Sequence, residues 1–138
     1  MSGIRGKNTR PEIVLRHGLH GLGFRYRLHG KLPGKPDLVF AKYRAVIFVH
    51  GCFWHKHECH LFKWPSTRRK FWRQKIEGNC CRDIGACAKL VEVGWRILTV
   101  WECAFKGRFR WDEEELIAAA ANWLVSESEN AQLQGHDD

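Results

Sequence analysis

The chain contains no run of about 18 or more apolar residues and does not open on a signal-peptide pattern. A membrane-spanning helix is therefore not expected, and a soluble intracellular protein is. Internal repeats and a second domain are also missing, and 138 residues suit one domain with a real core. Acids are scarce where bases are dense. Residues 1–75 hold 17 Lys and Arg but only Glu12, Asp37 and Glu58 as acids, a balance of 17 − 3 = +14. Residues 76–138 hold six bases against 12 acids, a balance of −6, so the formal net charge is +8. A half this lopsided suits a polyanionic partner, most often nucleic acid, although a merely solvated basic surface would look the same.

What is present argues for a folded globule: 44% hydrophobic residues, including seven tryptophans. Six cysteines could be a disulfide set in a secreted protein. With no signal sequence and with histidines interleaved, metal binding is the better account.

Residues 1–9 read as a mobile basic arm. Thr9 and Glu12 have capping-box spacing, and Leu15, Leu19 and Leu22 share a face, which predicts a helix to about Gly23. Residues 24–29 alternate like a strand, "DLVF" starts a second, and "AVIFV" (45–49) reads as a buried third. A long helix is expected from a Ser66 or Thr67 cap to about Val93, with Ile76, Cys80, Asp83, Cys87 and Leu90/Val91 along one face. An acid within an apolar stripe needs a partner or a task. Gly94 ends that helix, and "WRILTVW" (95–101) is the next strand, which makes a β-α-β crossover with parallel neighbours. "WDEEELIAAAANWLV" is a final amphipathic helix, so one domain spans 1–125, and 126–138 reads as a disordered polar tail.

Within "HGCFWHKHECH" (50–60) there are six possible metal ligands, too many for one zinc. Cys52, His57 and Cys59 lie close enough to fold around one ion, and Cys103, just past strand 95–101, can staple them to a strand end. This would be a closed, structural Cys3His site. Ordinary buried cysteines and surface histidines are the alternative. Cys80, Cys81 and Cys87 read as small core fillers. His50, His55 and His60 are then surplus to the zinc, and His60 has no assigned role.

Asp37 enters a strand that pairs as a hairpin with 45–49, which places it near Val49 and His50. A carboxylate among phosphate-attracting charges is what Mg²⁺ needs for phosphodiester chemistry, although it could simply pair with a lysine. A histidine base oriented by an acid would complete such a site, and His55 with Asp83 is the natural pair.

The segments "NTRPE", "LPGKPDLVF", "FVHGCFWHKHECH", "FWRQKI", "RD" and "GWRILTVWEC" occur in the order and at the spacing of one known family. Over about residues 1–111 the chain resembles the very-short-patch repair (Vsr) DNA mismatch endonucleases. The resemblance implies an α/β, restriction-endonuclease-like fold, a central mixed sheet flanked by helices, with a structural zinc site. Pro36-Asp37 is present, while Phe48-Val49-His50 replaces the second acid and lysine of the usual nuclease signature, as the family does. The resemblance further implies that Asp37 and the Val49 backbone carbonyl bind catalytic Mg²⁺. Threonine is frequent in the family at the place of Val49, and a carbonyl ligand tolerates the change. In the same way His55 becomes the general base, held by Asp83, while His50 and Glu12 position the waters of the metal. The family's zinc set matches Cys52, His57, Cys59 and Cys103. Phe53, Trp54 and Trp72 match an aromatic wedge pushed into the duplex, a step that costs least at a mismatch. Arg68, Arg69, Lys70 and Arg73 would then hold phosphates.

The implied substrate is double-stranded DNA with a T:G mismatch left by deamination of 5-methylcytosine, nicked 5′ to the thymine. The implied setting is a monomer in a bacterial-type cytoplasm, near the nucleoid and away from any membrane. It would be linked to a cytosine-5 DNA methyltransferase and a repair polymerase. Family members often carry a further basic segment before the position of Met1, so weaker affinity or looser mismatch selection is expected unless the true start lies upstream of Met1. The competing accounts are a zinc-containing DNA-binding module without catalysis, a metallohydrolase with catalytic zinc, and a relaxed structure-selective nickase.

Overall fold

The computed structural model describes residues 9–28, 31–55, 57, 59, 62–126 and 128–136. Five strands form one mixed sheet in chain order: β1 (Arg27–Leu28), β2 (Leu38–Phe40), β3 (Ala45–His50), β4 (Arg96–Trp101) and β5 (Ala131–Leu133). The β1–β2 and β2–β3 pairs are antiparallel, and β3–β4 and β4–β5 are parallel. Helix α1 (Arg10–Gly21) and α3 (Glu113–Val125) pack on one face, and α2 (Arg69–Glu92) connects β3 to β4 across the other. The result is an α/β fold of restriction-endonuclease type.

The period-2 alternation of β3 sorts its side chains between the two layers. Ala45 and Ile47 join Leu15, Leu98, Leu116 and Leu124 in the larger core. Val46 and Phe48 face the other way, with Leu90 and Ile97. Continuing that parity puts His50 on the α2 face, where Asp83 waits. Gly94 has φ +92°, which ends α2 and turns the chain into β4.

Several expectations change. Of the expected strand 24–29, residues Phe24–Tyr26 stay outside the sheet and Arg27–Leu28 pair with Val39 and Leu38, while His29 lies outside the described residues. Leu22 lies beyond α1 as its C-cap and is 58% exposed, so the apolar face of α1 rests on Leu15 and Leu19. Helix α2 begins after Arg68, a left-handed residue at φ 52°, and neither Ser66 nor Thr67 caps it. Val91 and Cys81 face solvent, leaving Ile76 and Leu90 as the buried positions of α2. The tail contributes β5: Ala131 and Leu133 pack inward while Gln132 points out, and the Asn130 side chain accepts the Ile97 N–H at 2.9 Å. The basic arm up to residue 8 and His60 lie outside the described residues.

Candidate active site and metal centre

A cleft of about 710 Å³ opens where the start of α1, the Gly34–Asp37 turn, the end of β3 and the middle of α2 meet. Gly34, at φ +77°, takes the turn past α2 so closely that a Cβ there would lie 2.8 Å from the Ala86 Cβ. That turn delivers Asp37, which is 8% exposed and accepts the Val49 N–H through Oδ2 at 2.6 Å. The hairpin register predicted for Asp37 is therefore the one observed, with Leu38 opposite Ile47.

Glu12 reaches the same place from α1. Thr9 accepts the Glu12 N–H at 3.4 Å, one half of the capping box, while the Glu12 side chain is 1% exposed and bonds Arg16 at 3.4 Å. Burial pushes the Asp37 carboxyl up to about 7. The nearby Glu12 carboxylate adds to this, and the Val49 N–H partly opposes it. A buried Asp37 carboxylate whose charge is disfavoured, with the buried Glu12 beside it and the Val49 backbone at the same cleft, forms a donor set that a hard divalent cation would satisfy. The residues fit Mg²⁺.

His50 and His55 stack at 3.9 Å with rings 6° from parallel, and His55 Nδ1 pairs with Asp83 Oδ2 at 2.5 Å. Burial drives the His50 pKa down to about 3, with His55 adding to the shift and Asp83 opposing it, so the ring is neutral in the working range. His50, His55 and Asp83 lie close enough to be tested as a second metal group. Face-to-face rings direct their nitrogen lone pairs side by side in parallel planes, which no single ion can meet in-plane from both. The arrangement suits an oriented base better than a second metal site. Asp83 fixes Nδ1 as the protonated nitrogen, and Nε2 is left to take a proton.

Helix α2 also holds the loop that carries His55. The Asn79 side chain donates to the Trp54 carbonyl at 2.9 Å and the Cys80 thiol to the His55 carbonyl at 3.3 Å. Cys80 thus has a task beyond filling space. Sequence reasoning missed Asn79, although its place one turn before Asp83 was a usable signal. It also missed Glu102, which accepts the Cys52 N–H at 3.2 Å, and Lys35, Lys75 and Lys106, which line the cleft.

The second site lies directly beside the first. Ligand atoms of Cys52, His57, Cys59 and Cys103 all fall within 4.8 Å of one another. His57 Nδ1 stands 3.5 Å from the Cys52 sulfur and 3.6 Å from that of Cys103. A tetrahedron with Zn–N and Zn–S bonds of about 2.0–2.3 Å has edges of roughly 3.5–3.8 Å, which the two His57–sulfur separations match, so the donor set suits zinc. Burial raises the Cys52 and Cys103 thiol pKa values above the ordinary cysteine range, so thiolates here require a cation.

Phe53, Trp54 and Trp72 form one aromatic cluster, with centroid separations of 5.2, 5.6 and 5.8 Å. All three are half-buried, not sunk in either core. Arg68, Arg69, Lys70 and Arg73 are exposed around the N-terminus of α2, whose first turn has no acid. Cations at a helix N-terminus oppose its dipole, which makes this end a strongly positive spot suited to phosphate.

The model of the family described as "DNA mismatch endonuclease Vsr" matches residues 1–61. The chain is 45% identical over 134 residues to DNA mismatch endonuclease Vsr of Escherichia coli (strain K12), covering 96% of this chain and 86% of that protein. It is 51% identical over 104 residues to Type II nicking enzyme V.XorIIP of Xanthomonas oryzae pv. oryzae, covering 75% and 76%. With Type II nicking enzyme V.NmeAIP of Neisseria meningitidis the identity is 43% over 106 residues, covering 76% of each chain.

Proposed function

We propose that this chain, which belongs to the Vsr family of DNA mismatch endonucleases, nicks duplex DNA 5′ to the thymine of a T:G mismatch and depends on Mg²⁺ to do so. It is a DNA endonuclease by family. The observation that carries the finer reading is the juxtaposition, in one cleft, of buried Asp37 on the Val49 N–H and the His55–Asp83 pair. A binding module without catalysis has no use for that arrangement.

When bound, Mg²⁺ would be held by the Asp37 carboxylate and the Val49 carbonyl oxygen, and it would supply Lewis-acid stabilisation of charge at the scissile phosphate. His55 takes the proton of the attacking water at Nε2, with the developing imidazolium balanced by Asp83. His50, kept neutral by burial, lies flat against His55 and fixes its ring, and with Glu12 it orders water in the cleft. Zinc on Cys52, His57, Cys59 and Cys103 is structural: four protein ligands leave no open position, which argues against a metallohydrolase.

Phe53, Trp54 and Trp72 enter the base stack, and Arg68, Arg69, Lys70 and Arg73 grip the backbone beside them. Unstacking costs a few kcal/mol and is least at a mispair, which gives the wedge its selectivity. The enzyme would act as a monomer in the cytoplasm on lesions at methyltransferase sites and leave the nick to a polymerase. In keeping with this, no helix among the described residues is long and apolar enough to cross a membrane. The test is Asp37→Ala. Nicking of a T:G duplex should vanish while circular dichroism and zinc content stay those of the parent; retained nicking would refute the assignment.

A further inference from the structure

The residues after α3 have no part in the proposed chemistry, yet they touch two of the zinc residues directly and a third contact reaches the indole stacked on one of them. His57 Nε2 pairs with the Gln134 side-chain oxygen at 2.8 Å. The Gly135 N–H donates to the Cys103 sulfur at 3.3 Å. Gln132, two residues earlier and exposed, accepts the Trp101 indole N–H at 2.9 Å, and that indole lies flat on the His57 ring at 4.1 Å and 12°. This segment is itself anchored. Strand β5 pairs with β4, and the Trp111 indole N–H donates to the Gln134 carbonyl at 2.7 Å. The approach is close, since a Cβ on Gly135 would stand 2.9 Å from the Cys103 carbonyl oxygen.

We propose that strand β5 and the residues following it form the outer shell of the zinc centre, with Gln134 as the positioning residue that fixes His57 as an Nδ1 ligand. The inference rests on the zinc reading above. An imidazole offers a metal one nitrogen, and the hydrogen bond made by the other decides which. A glutamine oxygen can only accept, so it requires the proton on Nε2. The unprotonated nitrogen is then Nδ1, the atom that stands 3.5 and 3.6 Å from two of the three sulfurs. The Gly135 N–H suits a thiolate at Cys103, and Trp101 limits tilting of the His57 ring. The same indole stands edge-on to His50 at 5.4 Å and to His55 at 6.3 Å, so the shell borders the proposed catalytic histidines as well.

The test is the rate at which the zinc-loaded full chain gives up its metal to an excess of a chromogenic chelator. Outer-shell partners of ligating histidines typically change metal affinity by about 10–100-fold. Gln134→Leu and Gln134→Ala both remove the acceptor and should lose zinc at least about 10-fold faster than the parent. Gln134→Glu restores an acceptor and should stay within about 3-fold, a rescue that loss of packing alone would not produce. Far-UV circular dichroism before mixing confirms that the variants start folded. Release at the parental rate from both Gln134→Leu and Gln134→Ala overturns the positioning role while the zinc reading stands. A parent chain that binds no zinc overturns that reading and this inference together.

Discussion

Asp37→Asn should make the protein more stable while destroying its activity. The carboxyl is 8% exposed, and its pKa rises from 3.8 to about 7 because burial, and then Glu12, disfavour the charged form. An acid with a raised folded-state pKa binds its proton more tightly in the native state, so it lowers stability as pH rises. The penalty is absent below about pH 3.8, grows from there, and is complete above about pH 7. A rise from 3.8 to about 7 corresponds to a penalty on the order of 4 kcal/mol at pH 8. Asparagine keeps an oxygen for the Val49 N–H and has no charge to desolvate. For a chain of this size the gain corresponds to a Tm higher by roughly 10 °C. The assay is thermal unfolding at pH 8 without Mg²⁺, and without a strong chelator, which would also remove zinc. The gap should shrink to less than half at pH 5, where the parent carboxyl protonates. Adding Mg²⁺ at pH 8 should stabilise the parent and leave the variant unchanged. An Asp37→Asn protein less stable than the parent at pH 8 would refute the picture of a buried, disfavoured Asp37 carboxylate awaiting a cation.

Three further outcomes follow from the same geometry. Asp83→Asn removes the charge that orients His55 across 2.5 Å, and the amide can donate to Nδ1 and reverse the tautomer. Single-turnover nicking should fall by about 10²–10⁴, with KM little changed, and a loss under 3-fold would count against the base assignment. Replacing Phe53 and Trp54 together by alanine should weaken T:G binding by about 1–3 kcal/mol per stacking partner removed, read by fluorescence anisotropy, while matched-duplex binding barely changes. Equal losses on both duplexes would contradict the wedge. Converting Arg68, Arg69, Lys70 and Arg73 to glutamine should flatten the plot of log affinity against log salt by about 0.9 for each phosphate no longer neutralised, and an unchanged slope would place the phosphates elsewhere.

The frame of the molecule was legible because it rests on patterns with a physical period. The apolar run 45–49, the crossover through α2 and the strand ending at Trp101 read directly from hydrophobic alternation and the Gly94 stop. The clustering of Cys52, His57 and Cys59 was legible because soft ligands within eight positions have few other uses, and that of Cys103 because it closes a strand end. Asp83 betrayed itself as an acid on an apolar face, and Asp37 as a lone acid on a hairpin among bases.

What escaped has one cause: interactions made across the sheet by residues that are unremarkable in sequence. Gln132 and Gln134 sit in a polar tail whose short β5 has too few apolar residues to signal a strand. Their partners, Trp101 and His57, are remote in the chain. Asn79 and Glu102 act by bonding backbone groups of the loop, which side-chain patterns do not reveal. The α2 cap failed for a related reason. Arg68 takes a left-handed conformation and stacks on the Phe71 ring at 4.3 Å, so aromatic contact takes the place of the Ser66 or Thr67 hydroxyl there.

The central claim is a Mg²⁺-dependent nick directed by a T:G mispair. Its most direct measurement is strand-specific cleavage of end-labelled duplexes that are matched, T:G or otherwise mismatched, with Mg²⁺ added or omitted. The account predicts one cut, 5′ to the mispaired thymine, on the T:G duplex alone and only with Mg²⁺. Cutting that is equally fast on matched DNA, or that persists without the divalent cation, would contradict it.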